Sequence, residues 1–316
     1  MRCDACEQDA VVDQPYRQAH LCRSHFLGSV RDRTRRELHR QLPRFAGGTV
    51  AVALSGGKDS VVALELTSTY FARRTGVQLV AITVDEGIAG YRTSSVTAAA
   101  AACERLGVEH QIISARDRLG TTTDAAAARF PGLAPCSFCG VWRRQLLNRA
   151  ARDAGAAVLL LGFNLDDLAQ TVLMNLARAE LPRLLRMAPH RNPQPGLIPR
   201  IAPLARIPER EVFLFATLSG LRFDHHECPH AGAAVRNVFR EVLWQLEEAL
   251  PGTRQSLLRT REQLLPLLLG AAGEGRPGTC EECGEPSTGP RCRACAYLGA
   301  LHAPADRRPA ERASAP

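Results

Sequence analysis

Lysine is almost missing from this chain: Lys58 is the only one among 40 Lys and Arg residues. Arginine serves everywhere else, so a lone lysine suggests a place that needs a compact, mobile ammonium. No run of about 18 uninterrupted apolar residues occurs, which excludes a membrane-spanning helix. The opening Met1-Arg2-Cys3-Asp4-Ala5-Cys6 lacks the apolar core of a signal peptide, so the expected location is cytoplasmic. In that compartment 11 cysteines are better explained by metal than by disulfides. A Walker-type phosphate loop is missing too. It needs a glycine where Val52 stands and Ser or Thr where Asp59 follows Lys58.

What is present is ordinary globular material. Of 316 residues, 45% are hydrophobic and 23% charged, enough for one main core with appendages. The net charge of +8 favours a polyanionic partner such as nucleic acid; a solvated Arg-rich surface is the plainer alternative. The apolar run Thr49 to Leu54 reads as a buried strand, and 60–74 as a helix. Residues 29–42, 93–106, 139–154, 166–178, 231–250 and 253–269 read as further helices, and 77–84, 109–114 and 157–162 as strands. This alternation predicts an α/β fold, a Rossmann-like parallel sheet covered on both faces. The expected organisation is a zinc finger over 1–28, a main domain over 29–270 and a zinc ribbon over 279–298. A basic insert over 178–210 reads as a rim loop for a phosphate backbone, and 302–316 as a disordered tail.

Strand, glycine turn and helix N-terminus at Ala53-Leu54-Ser55-Gly56-Gly57-Lys58-Asp59-Ser60 form a layout that binds anions. Ser55, Asp85 and Gly162 all fall at strand C-termini, where such sheets bind ligands, so one pocket can collect them. Asp166 and Asp167 open a helix beside that place; they can hold Mg²⁺ or steer a reacting group, or simply cap the helix. Cys3-x-x-Cys6 with Cys22-x-x-His25 suits one tetrahedral Zn²⁺. Cys280-x-x-Cys283 with Cys292-x-x-Cys295 suits a second. Cys136, Cys139 and Cys228 remain near the pocket, and Cys103 reads as a small core residue. Three converging thiolates can bind an iron–sulfur cluster and leave one iron open. A third zinc site using His225, His226 or His230, and a redox Cys136/Cys139 pair, are alternatives.

Ser-Gly-Gly-Lys-Asp-Ser resembles the PP-loop of ATP pyrophosphatases. The whole ordered set, Cys3 to Cys295, resembles the TtcA/TtuA family of tRNA thiolation enzymes, the TtuA branch in particular. Membership implies a PP-loop fold and ATP binding by residues 53–60 with Asp85, Gly162 and Asp167. It implies a [4Fe-4S] cluster on Cys136, Cys139 and Cys228, Mg²⁺, and catalytic roles for Lys58, Asp59, Asp167 and Arg143. Implied partners are tRNA, a ubiquitin-like thiocarboxylate sulfur carrier and a second copy of the chain. The implied reaction is adenylation of a uridine C2 oxygen followed by sulfur transfer. Phe163 stands where many relatives carry histidine, and Arg143 where relatives carry lysine, so Arg143 can act only electrostatically. Alternatives are cytidine thiolation, or a zinc-finger nucleic-acid-binding protein with an inactive nucleotide fold.

Overall fold

The computed structural model describes residues 1–189, 194–233, 235–272 and 278–302. At its centre five parallel strands lie in the spatial order Glu109–Ser114, Val77–Asp85, Gly48–Ala53, Ala156–Leu160, Arg200–Ile201. The central strand Gly48–Ala53 is the first of these in the chain, and the order reverses beside it. The crevice at that reversal opens outside the carboxyl ends of Gly48–Ala53 and Ala156–Leu160.

Both faces of the sheet are buried, which is why its strands read as continuous apolar runs. Val50 and Val52 point to one face, against Val61 and Leu64 of helix Lys58–Phe71 and Ala99 and Ala102 of helix Arg92–Leu106. Ala51 points to the other, against Leu146, Leu147 and Ala150 of helix Cys136–Asp153. This is the two-residue period of an extended chain. Cys103 lies in the first of these cores. Among the described residues no helix is long and apolar enough to cross a membrane.

The structure moves several expected boundaries. Helix Arg23–Gln41 starts before residue 29, so Cys22 is its N-cap and His25 lies in its first turn. Two of the four candidate metal-binding residues therefore belong to the start of one helix. Helix Cys136–Asp153 begins at Cys136 rather than after Cys139, which puts both cysteines in its first turn. The segment 178–210 is not a plain rim loop. It contains the edge strand Arg200–Ile201 and the fully buried Ala202, Leu204, Ala205 and Ile207. Several of its arginines are engaged internally: Arg206 meets Glu262 at 2.6 Å, and Arg183 meets Glu180 at 3.0 Å. Arg191, most of the linker after Gly270 and the tail from 303 onward lie outside the described residues.

Candidate active site: a nucleotide loop beside a cysteine edge

The loop leaves strand Gly48–Ala53 and turns at Gly56, whose φ of 89° favours glycine. A Cβ there would lie 1.9 Å from the Ser95 carbonyl oxygen, so no other residue passes this point without displacing backbone. Gly57 is the N-cap of helix Lys58–Phe71, whose first N–H groups have no partner within the helix. Ser60 fixes the curl: its Oγ accepts from Ser55 N at 3.1 Å and donates to Gly57 O at 2.9 Å. Gly162 closes the opposite wall, since a Cβ there would sit 3.0 Å from Ser60 N and Cα. Asp85 ends the neighbouring strand and accepts from Gly87 N at 2.9 Å, shaping the turn rather than touching the loop.

Charge is concentrated at the start of this helix. Lys58 Nζ donates to Glu209 Oε1 at 2.7 Å and to Asp59 Oδ2 at 3.0 Å. Burial works to lower the Lys58 pKa, but the two carboxylates outweigh it and push it up. Asp59 Oδ1 accepts from Asn164 Nδ2 at 2.9 Å. Asn164 is the N-cap of helix Leu165–Ala177 and forms a capping box with Asp167, so the cap is neither aspartate alone. Asp167 also meets Arg236 Nη1 at 3.4 Å. Burial, then the nearby Asp59 carboxylate, push the Asp167 pKa up to about 6. Asp166 takes a different job: it accepts from Glu209 N at 2.7 Å and pairs with Arg254 at 2.7 Å.

The cysteines form a second edge of the same crevice. Cys136 is exposed, Cys228 half-buried and Cys139 buried. Cys136 Sγ donates to the His230 carbonyl at 3.9 Å, bringing segment 228–230 against the helix start. That segment is also tied to the loop, because Asp224 N donates to Gly56 O at 2.9 Å. The three sulfurs do not close to the spacing of one ion, as the other two cysteine sets do. A four-iron cluster is a larger body, and an all-thiol donor set at a helix N-terminus suits it. The histidines of the zinc alternative are engaged elsewhere: His230 with Asp124 at 2.9 Å, His226 with Asp224 at 2.6 Å, His225 against the Phe223 ring. No disulfide joins Cys136 and Cys139.

Arg143 reaches this edge from the cysteine helix. Its Nη1 lies 3.3 Å from Glu86 Oε1, and the other oxygen of Glu86 lies 2.9 Å from Arg92 Nε. Glu86 and Arg92 are buried, while Arg143 is half exposed. Burial pushes the Cys139 thiol up, and Arg143 opposes it. Glu86, Arg92, Glu209 and Asp224 carry no motif; Asn164 and Arg236 lie in stretches the sequence singles out, yet sequence reasoning gave none of the six a role in the site. Phe163 is exposed.

The two outer cysteine sets are compact. The ligand atoms of Cys3, Cys6, Cys22 and His25 all lie within 4.8 Å of one another, as do those of Cys280, Cys283, Cys292 and Cys295. Each set has the donor number and type of a closed tetrahedral metal site.

With this geometry in view, the likenesses to known proteins agree. The PP-loop domain family matches residues 30–247, and the N-terminal LIM domain of 2-thiouridine synthetase TtuA matches residues 2–27. The tRNA 2-thiolation protein NcsA of Haloferax volcanii is 40% identical, over 96% of this chain and 100% of that protein. The tRNA-5-methyluridine(54) 2-sulfurtransferase of Thermus thermophilus is 32% identical, over 98% and 94%. The solved structure of the U34-tRNA thiolase NcsA from Methanococcus maripaludis, with its [4Fe-4S] cluster, superposes with a TM-score of 0.82. It is 34% identical and covers 94% of this chain and 95% of its own. The chain belongs to the PP-loop family of tRNA 2-thiolation enzymes.

Proposed function

We propose that the protein converts a tRNA uridine to 2-thiouridine at the crevice between the PP-loop and the cysteine edge. The uridine C2 oxygen attacks the α-phosphorus of ATP, the bond to the β-phosphate oxygen breaks, and pyrophosphate leaves. Sulfur then adds at C2 and AMP departs with the original oxygen. A [4Fe-4S] cluster on Cys136, Cys139 and Cys228 would supply that sulfur at the iron without a protein ligand.

The chain's own residues account for the rest. Loop N–H groups and Lys58 receive the ATP phosphates, and Asp59 and Ser60 orient them with Mg²⁺. Asp167, with its pKa near 6, is a competent base around neutral pH. The proton it would take is the uridine N3–H, whose loss places charge on the C2 oxygen. Arg143 stays charged and stabilises the anion that develops. Zn²⁺ fills the two outer sets. A ubiquitin-like carrier with a C-terminal thiocarboxylate renews the sulfur, the working unit is a homodimer, and the location is cytoplasmic, as in the relative named cytoplasmic tRNA 2-thiolation protein 1 of Bos taurus.

The observation that carries this reading is the tie between the two edges: Asp224, four residues before Cys228, hydrogen-bonds the loop at Gly56. Anaerobic reconstitution with iron and sulfide, followed by mass spectrometry of tRNA nucleosides, tests it. Wild type should show cluster absorbance and ATP-dependent 2-thiouridine, and Cys136→Ala neither. A thiolated cytidine would move the substrate to the other branch. A wild type that binds tRNA but takes up no cluster and makes no thionucleoside would sink the enzymatic reading.

A further inference from the structure

A cavity of about 500 Å³ opens beside Lys58. Helices Leu165–Ala177, Glu209–Leu218 and Arg236–Ala249 wall it. Most of its charges cancel: Lys58 pairs with Glu209, and Arg254 with Asp166. Arg210 and Arg240 line it without a salt bridge among the described residues, although Arg240 acts on the Glu209 carboxylate from a distance and the Glu241 carboxylate also faces the space. Trp244 and Phe213 also line it, 50% and 48% exposed.

Phosphate chemistry at the loop gives these two rings no work. Two large aromatic faces and a small excess of positive charge, with Arg210 and Arg240 free of salt bridges among the described residues, around a space of nucleotide size suit an unstacked base with its phosphate. The target uridine must leave its stack before its C2 oxygen can reach ATP, which frees its neighbour as well. We propose that this cavity receives a nucleotide of the RNA substrate adjacent to the target uridine. Its base stacks on Trp244, and its phosphates meet Arg210 and Arg240. The proposal rests on the tRNA reading above and adds to it the place where the strand beside the target is held.

Equilibrium binding of tRNA to the purified full chain at fixed salt tests it, with ATP affinity measured in parallel. Loss of one base–aromatic stack corresponds to about a 5- to 150-fold weakening. Trp244→Leu, which keeps an apolar wall, should weaken tRNA binding within that range and leave ATP affinity unchanged. Trp244→Phe should recover most of the affinity. Wild-type fluorescence should quench on tRNA addition, and the quench should vanish in Trp244→Phe, because the other tryptophan, Trp142, is 2% exposed. Unchanged tRNA affinity in Trp244→Leu overturns the proposal while leaving the thiolation reading intact. A loss of ATP affinity alone would also overturn it and assign the cavity to the triphosphate. Absence of tRNA binding in the wild type would overturn both.

Discussion

At the scale of single residues, Lys58 holds its charge because two carboxylates face it, at 2.7 and 3.0 Å. An ammonium fits that gap as a point donor, whereas a planar guanidinium is longer and wider. Lys58→Arg, a mild change in a chain this rich in arginine, should abolish 2-thiouridine formation. Metal analysis of the variant should still find both outer cysteine sets filled. Asp167 gives the site its pH dependence. Its folded pKa of about 6 lies above the ordinary 3.8, so its ionisation is disfavoured by folding. Its contribution to stability is therefore full below pH 3.8 and is lost as pH rises through 6. Asp167→Asn keeps the hydrogen-bonding shape without the charge. Urea melts of the apoprotein should show its advantage over wild type growing from pH 4 to 6 and levelling off above, at about 1–3 kcal/mol. Thiolation should be lost at every pH.

At the scale of elements, the site is made of helix beginnings. Helices Lys58–Phe71, Cys136–Asp153 and Leu165–Ala177 each deliver a functional group from the first turn. A helix start offers free N–H groups and a positive dipole end to phosphates and thiolates. Asn164 joins two of these starts, capping one helix and donating to Asp59 of the other at 2.9 Å. Asn164→Ala should therefore cost more than an ordinary cap, about 2 kcal/mol in denaturant unfolding, and should raise the KM for ATP. A loss no greater than that of a surface substitution would show that the bond to Asp59 carries nothing. The loop, the paired aspartates and the cysteine pairs were legible because each is a local spacing. Glu209, 151 residues from Lys58, and Arg236, 69 residues from Asp167, have no local pattern to announce them.

At the scale of the whole molecule, the two outer cysteine modules buttress the two chemical edges. Val12, Phe26 and Val30 of the N-terminal module and its helix pack with Val62, Ala63 and Leu66 of the loop helix. The C-terminal module grips the cysteine helix: Trp142 Nε1 donates to Ala294 O at 3.3 Å, and Phe138 packs against Tyr297. Gln145 reaches Cys283 Sγ at 3.4 Å, and Glu285 takes Arg149 at 2.9 Å and Arg152 at 2.6 Å. Opening this module should therefore be felt at the Cys136–Cys139 edge before it is felt at the PP-loop. In Cys283→Ser, amide exchange should speed up across residues 136–153, and reconstituted cluster should be held less well. ATP affinity should stay within about twofold of wild type, as expected for distant sites that share no partner. Equal loss of ATP binding would mean that the modules act on the fold as a whole.

Sequence alone determined the α/β alternation, the loop type and the paired spacing of the outer cysteine sets, because each depends on residues within one turn or one strand. It also singled out Lys58, by scarcity. It misread 178–210, because an edge strand of two residues between prolines carries no periodicity of its own. It began the cysteine helix too late, although Pro135 just before the first turn is itself a start signal. Tertiary structure decided which distant charges meet: Glu209 on Lys58, Arg236 on Asp167, and Glu86 between Arg92 and Arg143. It also decided that the Asp224 segment ties the cysteine edge to the loop. Those pairings arise from the strand order and the burial it imposes, and a crevice at a sheet reversal exists only once distant strands lie side by side.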